Sequence, residues 1–561
     1  MIANTPANWD LETDFLSIGS GIGGLAGAIT AHEQGLEAMV LERSDKAGGV
    51  TALSLGEVWV PGNHHAAERG IEDSPESGWR YVSRLSMGYA EDRLIRNQAV
   101  HAPVALRYFE NTIGLQMEVI DGMPDYYYGH NNDAVSEGRL LEPKPFLAEQ
   151  LGDWQERTRV SPQVPYGMTH EDMARGGGTC NVMHWDYALM GERLQRDERC
   201  LGPALAAYFV KGTLDRDIPI LTETNVVELI GDGERVVGIR AEREGRDFFV
   251  RARKGVLLGV SSYDRSPNLV RTLSMQLEPG SMVFNTIDGA HFRLAGPTGA
   301  RVARIPDVTM LGYTIPGEEM DDGSQMWRGG MTLVGLPHVI VVNGAGKRFG
   351  NEAFYRSLYF NVDAIDGGSQ THPNFPCWAI MDAQAREKYP IGSIMPGQEP
   401  PEEVAVKADT LAELAAKVGI DREGLAATVA AFNEACDRGE DPEFGRHTYP
   451  WSEWMCGDPN NKPHPNLGRL EKGPFYALPF KRLTGSAIAS TGIVVDEHCR
   501  AVDWSGNTIP GLYMAGNSVA RLDIGAVMQS GMSNARGMTH GYLSARHAAG
   551  NPSDLLEKAG A

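Results

Sequence analysis

Short apolar runs that end in glycine alternate with helical patterns through the first half of the chain. Residues 15–18 and 38–41 are apolar runs on either side of a helical stretch of small residues that begins at Leu25. Residues 79–119 are predicted to be mainly helical. The run at 255–260 is continuously apolar, which is typical of a parallel strand buried on both faces. Strands that alternate with helices in this way predict an α/β fold built on a mostly parallel sheet.

The first strand-to-helix turn has the glycine spacing of a dinucleotide-binding turn. Gly19, Gly21 and Gly24 stand at G-x-G-x-x-G spacing after the first apolar run, and Glu42 follows the second. The first glycine permits the tight bend, the second lets a pyrophosphate approach the backbone, and the third lets the helix pack close to the sheet. The helix N-terminus offers free N–H groups to phosphates. Since Glu42 is also placed to accept hydrogen bonds from a ribose, we predict dinucleotide binding.

The amino-acid composition of the chain changes between residues 289 and 465. This segment is richer in proline and aromatic residues, and its clearest helical pattern is the amphipathic stretch 411–436. Near the C-terminus, the patterns at 512–514 and 531–546 have the form of a strand and a helix that complete the first sheet. We therefore predict an inserted domain at 289–465 between the two parts of a nucleotide-binding domain, 1–288 and 466–561.

Composition and charge exclude several classes of partner. The chain has 561 residues, 42% of them hydrophobic and 22% charged, which is typical of a globular protein with more than one domain. A formal net charge of −22 argues against nucleic-acid partners and anionic membranes. The six cysteines lack metal-binding spacing, which favours free thiols. With no signal peptide and no apolar run of membrane-spanning length, we predict a cytoplasmic protein with no membrane span.

Further glycine-rich segments narrow the predicted dinucleotide to FAD. The first of them comes shortly after Glu42 and contains Gly48, Gly49, Thr51 and Ser54. Its glycines allow backbone amides to approach a bound cofactor, and its two hydroxyl groups add hydrogen-bond donors.

The remaining segments lie near the C-terminus. Gly516 permits a close approach of the ribityl chain, and Asn517 is able to form a hydrogen bond with it. Gly531 and Ser533 lie where the last helix begins, and the dipole of that helix is placed to stabilise negative charge on a reduced flavin. The order of these segments along the chain predicts FAD as the cofactor.

That order resembles the flavoprotein superfamily of fumarate reductases, succinate dehydrogenase flavoprotein subunits and 3-ketosteroid dehydrogenases, over nearly the whole chain. Within it, the chain is most similar to the ketosteroid and cyclic-ketone dehydrogenases. The resemblance implies an α/β fold with a Rossmann-like FAD-binding domain split in sequence, an inserted α+β lid domain, and oxidation of a saturated cyclic ketone to an α,β-unsaturated one. The segments that carry it are 47–54 with 58–63, 124–128 with 138–146, 343–355, and 509–517.

Desaturation beside a ketone requires a base for the α-proton, a hydrogen-bond donor to the carbonyl oxygen and a hydride acceptor. The resemblance implies a tyrosine base, and Tyr355 is the first candidate. Arg356, at the place of the proton donor in fumarate reductases, is the alternative. Tyr126 matches a tyrosine that assists the base, with Tyr127 as its alternative. Packing without any catalytic role is the alternative for each of them.

The predicted carbonyl site departs from the pattern of the 3-ketosteroid Δ1-dehydrogenases. The resemblance makes Gly531 the residue whose backbone amide binds the ketone oxygen. The tyrosine expected four residues earlier is Val527, which has no hydrogen to donate. Ser530 is able to replace it, as a serine does in ketosteroid dehydrogenases that act at another ring position. A Δ1 activity on steroids is therefore in doubt, whereas desaturation of a ketone is not.

Two other functions remain open from the sequence. A reductase of an activated C=C bond would use the same site in reverse, and a non-catalytic flavin redox sensor would bind FAD alone. Residues 484–492 contain no histidine to bind a carboxylate, which argues against fumarate or succinate as substrate. The expected partners are a small cyclic ketone and an external electron acceptor: oxygen, a quinone or a carrier protein. No metal site is predicted.

Overall fold

The computed structural model describes residues 3–559 apart from 278, 307–308 and 485–487. The strands are β1 Ala3–Asn4, β2 Leu11–Ile18, β3 Ala38–Leu41, β4 Val58–Trp59, β5 Met117–Val119, β6 Leu140–Pro143, β7 Phe146–Leu147, β8 Glu198–Arg199, β9 Ile220–Leu221, β10 Asn225–Gly231, β11 Val236–Arg243, β12 Arg246–Leu258, β13 Val302–Arg304, β14 Met310–Tyr313, β15 Arg328–Gly329, β16 Val339–Asn343, β17 Cys377–Met381, β18 Val406–Ala408, β19 Phe475–Pro479, β20 Lys481–Leu483, β21 Thr491–Ile493, β22 Arg500–Val502 and β23 Thr508–Met514.

Helices lie between these strands in the mixed order of an α/β protein. They are α1 Ile22–Glu33, α2 His64–Glu68, α3 Pro75–Leu85, α4 Asp92–Ile113, α5 His170–Arg175, α6 Tyr187–Gln195, α7 Leu201–Leu214, α8 Pro267–Leu269, α9 Ala290–Ala295, α10 Tyr355–Asn361, α11 Ala383–Lys388, α12 Leu411–Val418, α13 Arg422–Arg438, α14 Pro450–Cys456, α15 Met532–Ala548 and α16 Leu555–Ala559.

The largest sheet brings together the two ends of the chain. Its main order is β1-β10-β11-β12-β2-β3-β9, and β23 pairs with β12. Strand β2 pairs in parallel with both β3 and β12, and β12 pairs in parallel with β23. The carboxyl ends of these strands therefore meet at one edge, where ligands of open parallel sheets bind. The predicted parallel strand at 255–260 corresponds to the end of β12.

A second, antiparallel sheet has the order β16-β17-β19-β18 and contacts α12 and α13 through a shared apolar cluster. The predicted boundary at residue 466 assigns β19 and β20 to the nucleotide-binding domain. Instead, β19 pairs with β17 and β18, and β20 pairs with β14, all of which belong to the 289–465 segment. The chain returns to the large sheet only at β22 and β23.

Two of the predicted helical stretches are interrupted. The predicted helix over 79–119 consists of α3 and α4 followed by β5. The amphipathic stretch 411–436 is divided at Gly419, where a left-handed backbone conformation (φ +78°) ends α12 before α13 begins. The stretch 79–119 is thus mainly helical, as predicted, whereas the division of 411–436 into two helices was not predicted.

Close packing between α1 and α15 fixes the helices beside the large sheet. A Cβ atom at Gly27 would lie 2.3 Å from a Leu257 methyl group, and one at Gly541 would lie 2.4 Å from the Gly23 carbonyl oxygen. Neither distance leaves room for a side chain. Small residues on both helices therefore bring the N-terminal ends of α1 and α15 to the same edge of the sheet.

Two expectations from composition concern membranes and thiols. Among the described residues, none of the helices combines the length and the apolar character that a membrane crossing requires. All the cysteines are buried and unpaired, as their spacing predicted.

Substitution of Gly24 by alanine tests the packing at the start of α1. Its Cβ would lie 1.9 Å from the Gly19 carbonyl oxygen, so we expect the free energy of unfolding to fall by about 2 kcal/mol or more. Gly191→Ala, in α6, is the matched control because nothing lies within 4 Å of its Cβ position. It should raise stability by about 0.5–1 kcal/mol. Urea midpoints followed by tryptophan fluorescence make the comparison, and equal midpoints for the two variants would contradict it.

Candidate active site

A cavity of about 420 Å³ opens at the carboxyl edge of the large sheet and extends toward the segment between residues 282 and 392. This volume lies in the range of small-molecule and cofactor sites. Residues far apart in sequence line it. The sequence-predicted site residues among them are Gly19, Gly21, Glu42, Gly49, Thr51, Ser54, Tyr126, Tyr355, Gly516, Asn517, Ser530, Gly531 and Ser533. Gly24 and Gly48 lie behind the cavity wall and do not line the cavity.

The glycine turn has the conformation that its sequence predicts. Gly19 has φ +96°, and a Cβ there would lie 2.5 Å from the Gly259 carbonyl oxygen. Gly21 is the N-cap of α1, and the Thr51 hydroxyl accepts a hydrogen bond from Ile22 N at 3.0 Å. Thr51 thus holds the helix N-terminus, where backbone N–H groups are available to phosphates.

The Glu42 carboxylate is already hydrogen-bonded to protein groups. One oxygen accepts from the backbone N and hydroxyl of Ser20, at 3.0 and 2.6 Å, and the other accepts from those of Ser44, at 2.9 and 3.0 Å. These four hydrogen bonds occupy the acceptor positions of both carboxylate oxygens. A ribose hydroxyl would therefore bind Glu42 by taking the place of one serine hydroxyl, which is free to rotate.

The segment after Glu42 contacts the glycine turn directly. Gly48 and Gly49 both have positive φ, and a Cβ at Gly49 would lie 3.0 Å from Gly21 Cα. The Ser54 hydroxyl donates to the Thr51 carbonyl oxygen at 2.8 Å and accepts from Asn534 Nδ2 at 3.2 Å. Ser54 therefore links this segment to α15.

Asn517 provides the test of whether a polar cofactor fits. Its side-chain Oδ1 is buried at the cavity wall and has no hydrogen-bond partner among the described residues. A buried acceptor without a partner costs about 1–3 kcal/mol, and a ribityl hydroxyl is the donor that would satisfy it. The neighbouring Gly516 has φ +63° and no side chain to fill the space. Together with the open glycine turn, these features fit FAD.

The two predicted catalytic tyrosines meet at the cavity. The Tyr355 hydroxyl donates to the Tyr126 hydroxyl at 3.1 Å, and both rings contact Trp451, with centroids at 5.4 and 4.1 Å. Burial raises the pKa of Tyr126 to about 12 and that of Tyr355 well above its ordinary value. Neither tyrosine holds a resident negative charge at neutral pH, so a proton taken up by this pair must be passed on.

The alternatives to these tyrosines lie behind the cavity wall. Arg356 donates through Nε to the Tyr127 hydroxyl at 3.1 Å and through its terminal nitrogen to the Ala526 carbonyl oxygen. Neither Arg356 nor Tyr127 lines the cavity. The structure therefore places Tyr355 and Tyr126 at the site and pairs their alternatives with each other.

The N-terminus of α15 forms the other wall of the cavity. Gly531 is its N-cap with φ +79°, and a Cβ there would lie 2.5 Å from Trp59 N. Within the described part of the chain, the Gly531 N–H has no hydrogen-bond partner. The Ser530 hydroxyl donates to Glu57 Oε1 at 3.2 Å. Val527 is buried in an apolar cluster and does not line the cavity.

Sequence reasoning missed a buried polar group next to Ser530. Glu57 lines the cavity, and its carboxylate lies 3.3 Å from Nε2 of His170, the first residue of α5. Gln529 was missed as well: its side-chain oxygen accepts from the Tyr126 backbone N at 2.9 Å and the Tyr81 hydroxyl at 2.7 Å, which fixes Tyr126 in place. No local pattern marks these residues, because each contact joins distant parts of the chain.

One cluster of potential metal ligands lies outside the cavity. His64 Nε2 is 2.9 Å from Glu110, and His65 Nε2 contacts the other oxygen at 2.5 Å. The three ligand atoms lie within 4.8 Å of one another. The contacts are also those of an ordinary carboxylate–histidine pair.

The residues of this site define an FAD-binding protein. Residues 14–533 match the family described as FAD binding domain, and the chain belongs to that family. The predictions of FAD as cofactor and of a flavoprotein oxidoreductase are confirmed.

Several known relatives are named as dehydrogenases of cyclic ketones. The 4-oxocyclohexanecarboxylate 2-dehydrogenase of Sinomonas cyclohexanicum is 30% identical over 550 residues, 96% of this chain and 93% of that protein. The 3-oxosteroid 1-dehydrogenase of Mycolicibacterium smegmatis is 30% identical over 586 residues, 95% and 96% of the two chains. The crystal structure of 3-ketosteroid delta1-dehydrogenase from Sterolibacterium denitrificans with 1,4-androstadiene-3,17-dione has a TM-score of 0.86 at 29% identity, covering 96% and 99%. The resemblance inferred from the sequence is confirmed.

The Glu57–His170 pair makes stability depend on pH. Burial disfavours the charged imidazole, but Glu57 and Glu142 outweigh burial and raise the pKa of His170 from 6.5 to about 9. The stabilisation is complete below the unfolded-state pKa and is lost as pH rises through the folded-state pKa. We expect a loss of about 3 kcal/mol between pH 6 and 10.

Urea unfolding of the wild type and of His170→Gln at pH 6, 8 and 10 measures this loss. The difference in unfolding free energy between the two proteins should shrink as pH rises. A difference that stays constant with pH would show that His170 is not charged in the folded protein.

Proposed function

We propose that the protein desaturates a cyclic ketone with FAD as cofactor, taking the α-proton on Tyr355 and holding the ketone oxygen at Gly531. The observation that carries the proposal is the Tyr355–Tyr126 hydrogen bond at 3.1 Å on the wall of the cavity that also contains the glycine turn and Asn517. The names of two relatives support it, since they are dehydrogenases of 4-oxocyclohexanecarboxylate and of 3-oxosteroids.

The proton step belongs to the tyrosine pair. As the α-C–H bond breaks, Tyr355 oxygen takes the proton and its own hydroxyl proton moves to Tyr126, to which it is already hydrogen-bonded. Tyr126 gives up its own proton in turn to a further acceptor. Passing the proton on in the same step avoids a free phenolate, which burial disfavours. A positioned base of this kind contributes about 10²–10⁴ in rate. When bound, FAD supplies the acceptor for the hydride that leaves the neighbouring carbon.

The ketone oxygen is held by the start of α15. As the α-proton leaves, negative charge gathers on this oxygen, and the Gly531 N–H is free to donate to it. The partial positive charge at a helix N-terminus adds to the effect. One such donor typically stabilises the transition state by about 3–4 kcal/mol. Ser530, the predicted second donor, would have to turn away from Glu57 to contribute.

The charges around the cavity favour a neutral substrate. The arginines that line it are each paired with a carboxylate: Arg43 with Asp288, Arg159 with Asp321, and Arg328 with Glu318. Among the described residues, no lysine or histidine lines it. A dicarboxylate would need unpaired cations, so these pairs argue against fumarate and succinate. The segment 484–492, whose lack of histidine also argues against a dicarboxylate, lies partly outside the described residues, at 485–487.

The division of the chain into domains belongs to the same proposal. We take the large sheet and its helices as a Rossmann-like FAD-binding domain split in sequence, and the segment after residue 288 as the inserted α+β lid domain. Because β19 and β20 pair with strands of that segment, we place the end of the insertion near residue 484 rather than 466. A cytoplasmic location, supported by the unpaired cysteines, and reoxidation by oxygen, a quinone or a carrier protein complete the proposal.

Anaerobic titration with ketones of one to four rings tests the function. At least one neutral cyclic ketone should bleach the flavin absorbance of the wild type. Tyr355→Phe should retain FAD but reduce it at least about 100-fold more slowly, because the base is lost.

Tyr359→Phe is the matched control for this substitution. The Tyr359 ring contacts Tyr355 at 5.0 Å, but it does not line the cavity. Its flavin reduction should match that of the wild type. If no ketone bleaches the flavin while fumarate reoxidises the dithionite-reduced enzyme, the protein is a reductase and the proposal is wrong.

A further inference from the structure

We infer that the proton taken from the ketone leaves the tyrosine pair through the Ser530 hydroxyl and ends on the Glu57 carboxylate, which His170 holds in place. The inference rests on the proposed function. It gives a role to a buried carboxylate–imidazole pair that no other part of the site explains.

The hydroxyl groups form a continuous series that points toward Glu57. Tyr355 donates to Tyr126 at 3.1 Å, which leaves the Tyr126 proton free for the next acceptor. The Ser530 hydroxyl is hydrogen-bonded to Tyr126 and donates its own proton to Glu57 Oε1 at 3.2 Å. A proton entering at Tyr355 displaces one onto Glu57 once the Tyr126 hydroxyl, which is free to rotate, donates to Ser530.

Glu57 is placed to receive that proton. Its side chain is 5% exposed, and its carboxylate lies 3.3 Å from His170 Nε2. His170 also contacts the Leu55 carbonyl oxygen through Nε2 at 3.1 Å, and its backbone N donates to Glu142 at 2.7 Å. Two carboxylates therefore face this imidazole, and the Trp454 ring closes its remaining side with centroids 6.0 Å apart.

A buried ion pair of this kind is poor evidence for stability, because the loss of hydration offsets the attraction. Its place beside the Ser530 hydroxyl at the cavity wall is therefore informative. The imidazole holds the Glu57 carboxylate beside the Ser530 hydroxyl.

Asp125 is the other buried carboxylate close to Tyr126, and it is committed elsewhere. It accepts from Trp59 Nε1 at 2.7 Å, from Arg139 at 2.8 Å and from Val135 N at 3.1 Å. It does not line the cavity. With these bonds made, Asp125 holds Trp59 and Arg139 in place, and Glu57 is the carboxylate that the hydroxyl series reaches.

The step balances in protons and electrons. The α-C–H bond breaks and an O–H bond forms on Tyr355, while the electron pair stays with the carbon. The Tyr355 proton moves to Tyr126, the Tyr126 proton to Ser530 and the Ser530 proton to Glu57. Each hydroxyl ends neutral. Glu57 ends as a carboxylic acid, and the negative charge that it loses appears on the ketone oxygen.

Infrared difference spectroscopy tests this route without relying on turnover. The spectrum of ketone-reduced minus oxidised holoenzyme should contain a carboxylic-acid C=O band that moves in D2O. Dithionite reduction should not produce it, because no proton enters at Tyr355. The band should be absent from Glu57→Gln, and Glu110→Gln should retain it, since that carboxylate pairs with His64 and His65 away from the cavity.

Flavin reduction by the ketone provides the second measurement. Glu57→Gln and Ser530→Ala should each slow it by roughly 100-fold, as loss of a proton acceptor does. The double variant should be no slower than either, because both act in one route. Glu57→Asp should recover part of the rate, and Glu110→Gln should equal the wild type.

The outcomes separate the two proposals. A wild type that no ketone reduces would sink the proposed function. A wild type that is reduced, with Glu57→Gln equally fast or with the band still present in it, would overturn the route and leave the function standing. Ser530→Ala removes a single oxygen at the cavity wall, so it tests the route even where Glu57→Gln does not fold.

Discussion

The contact between α1 and α15 is the constraint on which the site depends. Gly23 and Gly27 of α1 face Gly537 and Gly541 of α15, and side chains at these positions would overlap backbone or core atoms. The two helices come from opposite ends of the chain, yet their N-terminal ends open onto the same cavity. One end presents the turn that binds phosphate, and the other presents the Gly531 N–H. Any increase in the distance between these helices would separate the cofactor site from the carbonyl site.

Burial sets the chemistry of the tyrosine pair. Two phenols in contact with Trp451 are poor acids and poor bases, because burial disfavours the phenolate. A fixed cation at the hydroxyls would lower their pKa, but the nearby Arg356 guanidinium is directed to Tyr127 and to a backbone carbonyl. The remaining solution is to move a proton through the pair without leaving charge on it. The Tyr355–Tyr126 and Ser530–Glu57 hydrogen bonds provide the first and last parts of such a route.

The sequence predicted the parts of the site that depend on local backbone conformation. Gly19, Gly49 and Gly516 all have positive φ, and their spacing next to apolar runs was sufficient to find them. Tyr355 and Tyr126 came from the family resemblance. Glu57, His170 and Gln529 were not predicted, since their roles come from contacts across the fold and their neighbours in sequence have no distinctive pattern. The same limit applies to β19, whose place in the second sheet depends on its partner strands and not on its own residues.

Ser530 lies between the two steps of the proposed mechanism, which are proton transfer to Glu57 and hydrogen bonding to the ketone oxygen. Its single hydrogen limits it to one of these steps at a time. Its hydroxyl has one hydrogen, and that hydrogen is directed to Glu57. In the proposed mechanism, Gly531 alone donates to the ketone oxygen while this bond is present, and Ser530 serves the proton route. Once Glu57 has taken that hydrogen, the hydrogen that Ser530 received from Tyr126 is not held by a carboxylate, because Glu57 is then a neutral acid and a weaker acceptor. The hydroxyl is then free to turn toward the oxygen on which negative charge has gathered. The residue that replaces a tyrosine donor would therefore act after the proton has moved, and arrival of the proton at Glu57 would itself stabilise the charge left behind.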